Sequence, residues 1–313
     1  MQVSADDALI DLVERLREEG YAFTTVSPTS HARIDARSPD VRARSLRDVF
    51  GWSRPFDEDV LSDACLTLMR RAGILAEGED GLRSTIRVSS LDGKLFVHSA
   101  YPPSQSGAVF FGPDTHRFVS AVVAHLDGRT APVRRAVDVG CGSGAAGIAV
   151  AARAPDAEVV LVDVNDAALR LAALNARLAG ATVRPVRSNL LDAVEGSFDL
   201  VVSNPPFMLD RAGRTYRHGG GTLGEGLSLA VLEAAGRRLA PGGSLVLFTG
   251  ACIVEGDDPF RTAAAALCRR AGLDGSYREI DPDAYGEELD DPGYAGVERI
   301  ALVVLTATRG AAA

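Results

Sequence analysis

Two short stretches of this 313-residue chain hold residue types that could do chemistry. The first is Val137-Asp138-Val139-Gly140-Cys141-Gly142-Ser143-Gly144, an apolar run with one acid that opens into alternating glycines. Glycine adopts positive φ at little cost and lets backbone press against a ligand. Twenty-one residues after Gly142, Asp163 closes a second apolar run, Val160-Leu161-Val162-Asp163. A carboxylate at that spacing can accept hydrogen bonds from ribose hydroxyls. Asp138 sharpens the reading, because an acid beside the turn repels a pyrophosphate but suits an ammonium or sulfonium. The pattern G-x-G-x-G, not G-x-G-x-x-G, together with Asp138 points to S-adenosylmethionine (SAM) and away from a dinucleotide.

The second stretch is Ser203-Asn204-Pro205-Pro206-Phe207, again at the end of an apolar run. An amide or aromatic amine is a poor nucleophile because its lone pair is delocalised. Acceptors that engage both of its N–H groups redirect the lone pair toward an electrophile. The Asn204 side-chain oxygen and the Pro205 carbonyl can supply two such acceptors. Proline fixes φ and has no N–H, so Pro205 and Pro206 make a rigid bend. Phe207 can stack on a planar group. Catalysis would then be largely placement of nitrogen, carbon and sulfur in line. Further on, Tyr216-Arg217-His218 precede Gly219, Gly220 and Gly221, glycines that could hinge a lid, with Tyr216 and His218 as candidate substrate contacts.

These residues need a scaffold. From residue 135 onward, strand and helix patterns alternate. Strands are expected at 136–139, 158–163, 182–187, 198–203 and 244–249, with helices at 145–153, 166–179, 224–239 and 258–271. Strands near 276–280 and 298–307 complete an antiparallel edge pair. This predicts an α/β, Rossmann-like, seven-stranded and mostly parallel sheet with helices on both faces. Upstream, helices are expected at 5–20 and 57–73, the second capped by Asp57, followed by a small hairpin over 83–98. These elements suggest a small α+β, winged-helix-like domain over residues 1–105, covering or selecting substrate, ahead of a catalytic domain at 106–313. Residues 101–107 read as the linker.

Composition bounds the function. Net charge is −9, which disfavours broad attraction to nucleic acid. The most basic stretch, residues 33–54, mixes six arginines with Asp35, Asp40 and Asp48 and reads as a solvated segment. No apolar run approaches the ~18 residues of a membrane-spanning helix. The N-terminus lacks the basic start and apolar middle of a secretory signal. The four cysteines are scattered without metal-ligand spacing, so no metal site is expected and a reducing, cytoplasmic location fits.

Over residues 107–308 the chain resembles the class I SAM-dependent methyltransferases. The resemblance implies that Gly140, Cys141, Gly142 and Gly144 wrap the methionine part of SAM. It places Asp163 and the adjacent Val164 at the ribose, and Asn189 and Leu190 at the adenine. Asn204-Pro205-Pro206-Phe207 resembles the [ND]-P-P-[YF] motif of enzymes that methylate planar nitrogens. Within the group, the chain resembles the release-factor glutamine methyltransferases and their methyltransferase small-domain relatives. Pro113-Asp114-Thr115 and Asn175-Ala176 carry that resemblance. It brings Phe111 and Thr115 in as substrate candidates. The motif ends in Phe207 where the glutamine enzymes usually have Tyr. The acceptor implied is a protein glutamine or a small molecule. Three other uses stay open: rRNA guanine-N2 methylation, transfer or cyclisation of the aminocarboxypropyl group of SAM, and a non-catalytic SAM-binding module. The sequence does not specify the oligomeric state.

Overall fold

The structure, a computed structural model, describes residues 4–37, 41–103, 107–210 and 216–311. Residues 104–106 of the expected linker and 211–215 of the glycine-rich loop lie outside the described residues. The N-terminal part holds α1 (Ala5–Glu18), α2 (Pro28–Asp35), α3 (Leu46–Phe50) and α4 (Asp63–Ala72). Two antiparallel hairpins follow, β1 (Leu75–Gly78) with β2 (Gly81–Ser84), and β3 (Ile86–Leu91) with β4 (Lys94–Ser99). The second lies in the stretch, 83–98, where a hairpin is expected.

Several boundaries moved for local reasons. Helix α4 starts at Asp63 because Ser62, not Asp57, caps it: the Ser62 hydroxyl accepts from the Cys65 amide. Asp57 instead pairs with Arg42 at 2.6 Å. The segment read as solvated, residues 33–54, holds the end of α2 and the whole of α3, helices started by serine caps, Ser27 and Ser45. Some of its arginines are paired, Arg54 with Asp48 at 2.7 Å among them.

The remaining elements are α5 (Pro113–Asp127), β5 (Arg135–Val139), α6 (Ala145–Arg153), β6 (Glu158–Asp163), α7 (Asp166–Ala179), β7 (Arg184–Arg187), β8 (Phe198–Ser203), α8 (Gly226–Arg238), β9 (Leu239–Val254), α9 (Pro259–Ala271), β10 (Leu273–Ala284) and β11 (Val297–Arg309). Seven strands form one sheet in the order β10-β11-β9-β8-β5-β6-β7. Strands β9, β8, β5, β6 and β7 are parallel, and β11 runs antiparallel to both its neighbours. The expected seven-stranded, mostly parallel sheet is therefore present. Strand β9 is longer than expected. Its pairing steps from Phe198↔Leu239 to Leu200↔Ser244, so residues 240–243, with the Pro241-Gly242-Gly243 run, bulge out without ending the strand.

Side chains along the central strands alternate between two apolar layers. Ala136, Leu161 and Val202 face the layer under α5 and α6, whereas Val137, Val160 and Val201 face the layer under α8 and α9. Helix α7 is buried on two sides. Ala172 and Ala176 pack toward the sheet, while Leu171, Leu174 and Leu178 join the N-terminal core with Leu9, Leu12 and Val97. The chain visits β5, β6 and β7 to one side and then returns to β8 on the other. That reversal at β5/β8 opens a crevice at the carboxyl ends of the strands, where open α/β sheets take ligands.

Candidate active site

The carboxyl ends of β5, β6 and β8 carry Asp138, Asp163 and Asn204 to the rim of one cavity of about 1050 Å³. Gly140, Gly142 and Gly144 all have positive φ, at 68°, 51° and 79°. A Cβ built on Gly140 or Gly142 would meet nothing within 4 Å, so these glycines leave a bare cradle facing open space. Gly144 differs. It does not line the cavity, and a Cβ there would come within 3.0 Å of the Ala172 methyl. It brings α6 close to α7.

The acids are built into the turn. Asp163 accepts from the Gly142 amide at 3.0 Å and the Asn165 amide at 2.9 Å, tying the end of β6 to the glycine turn. Asp138 accepts from the Gly147 amide at 2.9 Å. Burial raises the carboxyl of Asp138 to about 7, with the nearby charge of Asp163 adding to the rise. Burial likewise raises Asp163 above the usual carboxylate range. A cationic ligand in the cradle would favour the charged form of both. Cys141 lines the cavity with its thiol pushed well up by burial, so it is no nucleophile. Val164, Asn189 and Leu190 line the same cavity, Val164 half exposed and Leu190 with a positive φ of 49°.

At the tip of β8, the Ser203 hydroxyl donates to the Val139 carbonyl at 2.7 Å, fixing the β8 end against the β5 end. Asn204, Pro205, Pro206 and Phe207 all line the cavity. Neither the Asn204 amide nor the Pro205 carbonyl has a hydrogen-bond partner among the described residues. Phe207 is more enclosed than its motif position suggests. A Cβ on Gly250 would strike its ring at 2.5 Å, and its edge meets Tyr285 at a centroid distance of 6.0 Å. The glycine-rich loop does not hinge free at Gly219. A Cβ there would lie 2.7 Å from the Pro206 carbonyl and from the Phe207 Cα, so the loop packs backbone to backbone against the bend.

Two substrate candidates fall outside the cavity wall. Phe111 is buried and stacks on His98 at 5.0 Å, while its neighbour Phe110 lines the cavity instead. His218 turns its Nδ1 to the Asp210 amide at 3.3 Å on the outer side of the loop. Thr115 and Tyr216 do line the cavity. Thr115 also closes the first turn of α5 by accepting from the Gly112 amide, and the Tyr216 hydroxyl donates to the Pro103 carbonyl at 3.3 Å.

Sequence reasoning missed the roof. Residues 24–27 and the first turn of α2, residues 28–30, line the cavity, with Arg33 one turn further on. Thr29 donates to Glu287 and Arg217 pairs with Glu288, so the roof and two rim loops are fastened together. Asp114, bonded to Tyr285 and Arg117, also lines the wall, and burial lifts its carboxyl to about 6. The Ser27-Pro28 pair, a cap followed by proline at the first helical position, was the available signal for α2.

Comparison with known proteins agrees with this geometry. The family model described as methyltransferase small domain matches residues 119–252. A release factor glutamine methyltransferase of Deinococcus radiodurans is 33% identical over 276 residues, covering 82% of this chain and 91% of that protein. One from Bordetella pertussis is 36% identical over 196 residues, covering 58% and 68%. A 4-amino-L-phenylalanine/4-methylamino-L-phenylalanine methyltransferase of Streptomyces pristinaespiralis is 33% identical over 156 residues, covering 44% and 53%. Fold, glycine turn and relatives together define a class I enzyme that uses SAM to transfer a methyl group. The chain belongs to the release factor glutamine methyltransferase family.

Proposed function

We propose that the acceptor is the side-chain amide nitrogen of a glutamine in a protein of the translation machinery, with a release factor as the first candidate. The observation that carries this reading is the pair of acceptors without a hydrogen-bond partner among the described residues, the Asn204 amide oxygen and the Pro205 carbonyl, beside the glycine cradle in one cavity. A primary amide presents two N–H groups, and the bend offers two acceptors. Engaging both N–H groups draws the nitrogen lone pair out of conjugation and aims it across the cavity. Pro205 and Pro206 keep the acceptors from swinging away, because their φ angles are fixed. Phe207 and Tyr285, packed edge to face, line the cavity beside the bend.

In this reading the bare cradle of Gly140 and Gly142, with Cys141 between them, takes the methionine part of SAM, and Asp138 balances its positive charge. Asp163 and Val164 take the ribose; Asn189 and Leu190 take the adenine. Bound there, SAM supplies a methyl group made electrophilic by its sulfonium. The cavity, about 1050 Å³, has room for this donor and one acceptor side chain. A partner from translation also places the enzyme in the cytoplasm.

A second reading has a specific observation in its favour. Residues 24–30 of the N-terminal part line the cavity, and the Streptomyces relative is named for a small aromatic amine. One assay separates the two. The full chain is incubated with SAM and either a purified bacterial release factor or 4-amino-L-phenylalanine, and products are identified by mass spectrometry. A methyl group on a glutamine side chain, with one S-adenosylhomocysteine per methyl, supports the first reading. Methylation of the amino acid alone overturns it in favour of the second. Methylthioadenosine as the product would overturn both.

A further inference from the structure

One buried side chain joins the cofactor turn to the N-terminal part, and no step above uses it. Asn175, on α7, is fully buried. Its Oδ1 accepts from the Val97 amide of β4 at 2.8 Å. Its Nδ2 donates to the Val97 carbonyl at 3.0 Å and to the Ser143 carbonyl at 2.9 Å. Two carbonyls and one N–H fix which end of the amide points where, since only the NH₂ can serve both carbonyls. Ser143 is the residue between Gly142 and Gly144. Asn175 therefore clamps the glycine turn to strand β4 from behind.

The polar path continues past Val97. The next residue, His98, meets the Ser89 hydroxyl through Nε2 at 2.7 Å, and Ser89 is bonded to the Thr25 hydroxyl. Thr25 lines the cavity at the start of the roof. Ser143, Asn175, His98, Ser89 and Thr25 are each between 0% and 4% exposed. Apolar residues of the same size would fill these places without needing partners, so a satisfied polar chain here specifies position more than it adds stability. Both its ends are walls of the same cavity, one at the cofactor turn and one at the roof.

We infer that Asn175 is a positioning residue, and that the chain from Ser143 through Asn175, His98 and Ser89 to Thr25 makes SAM affinity depend on the seating of the roof. This inference rests on the assignment of SAM to the glycine turn. It implies reciprocity: if acceptor binding, by seating the roof, changes SAM affinity by some factor, bound SAM changes acceptor affinity by that same factor.

The test is calorimetric titration of SAM into the full chain, wild type and the variants Asn175→Ala, Ser89→Ala and the double variant, each checked for fold by circular dichroism. Asn175→Ala should weaken SAM binding about tenfold, and Ser89→Ala about threefold, within the range of coupling networks. The double variant should lose less than the product of the two. Ser89 does not line the cavity and reaches the glycine turn through His98, Val97 and Asn175, so a purely local packing role for it would leave SAM affinity unchanged. An unchanged dissociation constant in folded Ser89→Ala, or strictly multiplicative losses, would overturn the inference. If Asn175→Ala does not fold, Ser89→Ala and Thr25→Val decide it by the same reading. Failure of the wild type to bind SAM would instead sink the cofactor assignment.

Discussion

Asn204 and Asp138 lie on the ends of neighbouring strands and line one cavity. In the proposed reading they do opposite electrostatic work: Asn204 presents a neutral acceptor to the incoming nitrogen, and Asp138 a negative charge to the cation that the donor carries. Asn204→Ala removes one of two acceptors and should lower kcat about a hundredfold, the typical cost of deleting one preorganised partner. Steady-state kinetics check this, with SAM titration confirming that the protein is intact. The behaviour of Asp138 with pH follows from its burial. Its folded value, about 7, lies above the unfolded value of 3.8, so the folded protein binds this proton more tightly. Its contribution to stability is present below the unfolded value and is lost as pH rises through about 7. Ligand binding has the reverse sign, because SAM favours the ionised carboxyl. SAM affinity should therefore climb as pH increases through about 7 and level off above it. Proton release measured by calorimetry in several buffers checks the claim, and Asp138→Asn should abolish the climb. Both residues stood out in the sequence because Asp138 interrupts an apolar run before glycines and Asn204 follows one before prolines, and the structure brings both to one cavity. Phe111 and His218 were misplaced because adjacent residues point to opposite sides, and no pattern in 110–111 or 216–218 says which side meets the cavity.

At the level of elements, glycines place backbone where side chains would not fit. Gly147 lets α6 lie on β6: a Cβ there would come within 2.1 Å of a Leu161 methyl. Gly147→Ala should cost about 1–3 kcal/mol by overpacking, read as a lower midpoint in denaturant unfolding. Gly219 does the same for the bend, packing on Pro206 and Phe207. Gly219→Ala should displace the bend and abolish transfer while SAM binding, assigned in the proposed reading to residues at the ends of β5, β6 and β7, stays near wild type. The alternating strands and helices from 135 onward could be read because each is a sustained apolar run or a helical stripe. Helices α2 and α3 could not, because they are short: α2 buries only His31, and α3 has five residues. Periodicity needs a longer window than either provides. Strand β9 runs through a Pro-Gly-Gly signal that normally ends a strand, because the bulge absorbs those residues and pairing with β8 resumes at Ser244.

For the molecule as a whole, the N-terminal part and the sheet part share α7. Leu171, Leu174 and Leu178 belong to one apolar core with Leu9, Leu12 and Val97. We expect the division near residue 105 to be a division of labour and not of stability, so calorimetric unfolding should show a single transition that SAM shifts upward as a unit. Two separate transitions, only one moved by SAM, would contradict that expectation. The roof formed by residues 24–30 was invisible in sequence because it depends on how the two parts meet, not on any local pattern. The central claim is that the Asn-Pro-Pro bend clasps a glutamine amide against the SAM site. Its most direct test is a crystal structure of the chain with S-adenosylhomocysteine and a glutamine-containing peptide from a release factor. The account predicts the glutamine Nε2 within hydrogen-bond distance of both the Asn204 Oδ1 and the Pro205 carbonyl. A glutamine bound elsewhere, or an Asn204 side chain engaged with protein and turned from the peptide, would contradict it.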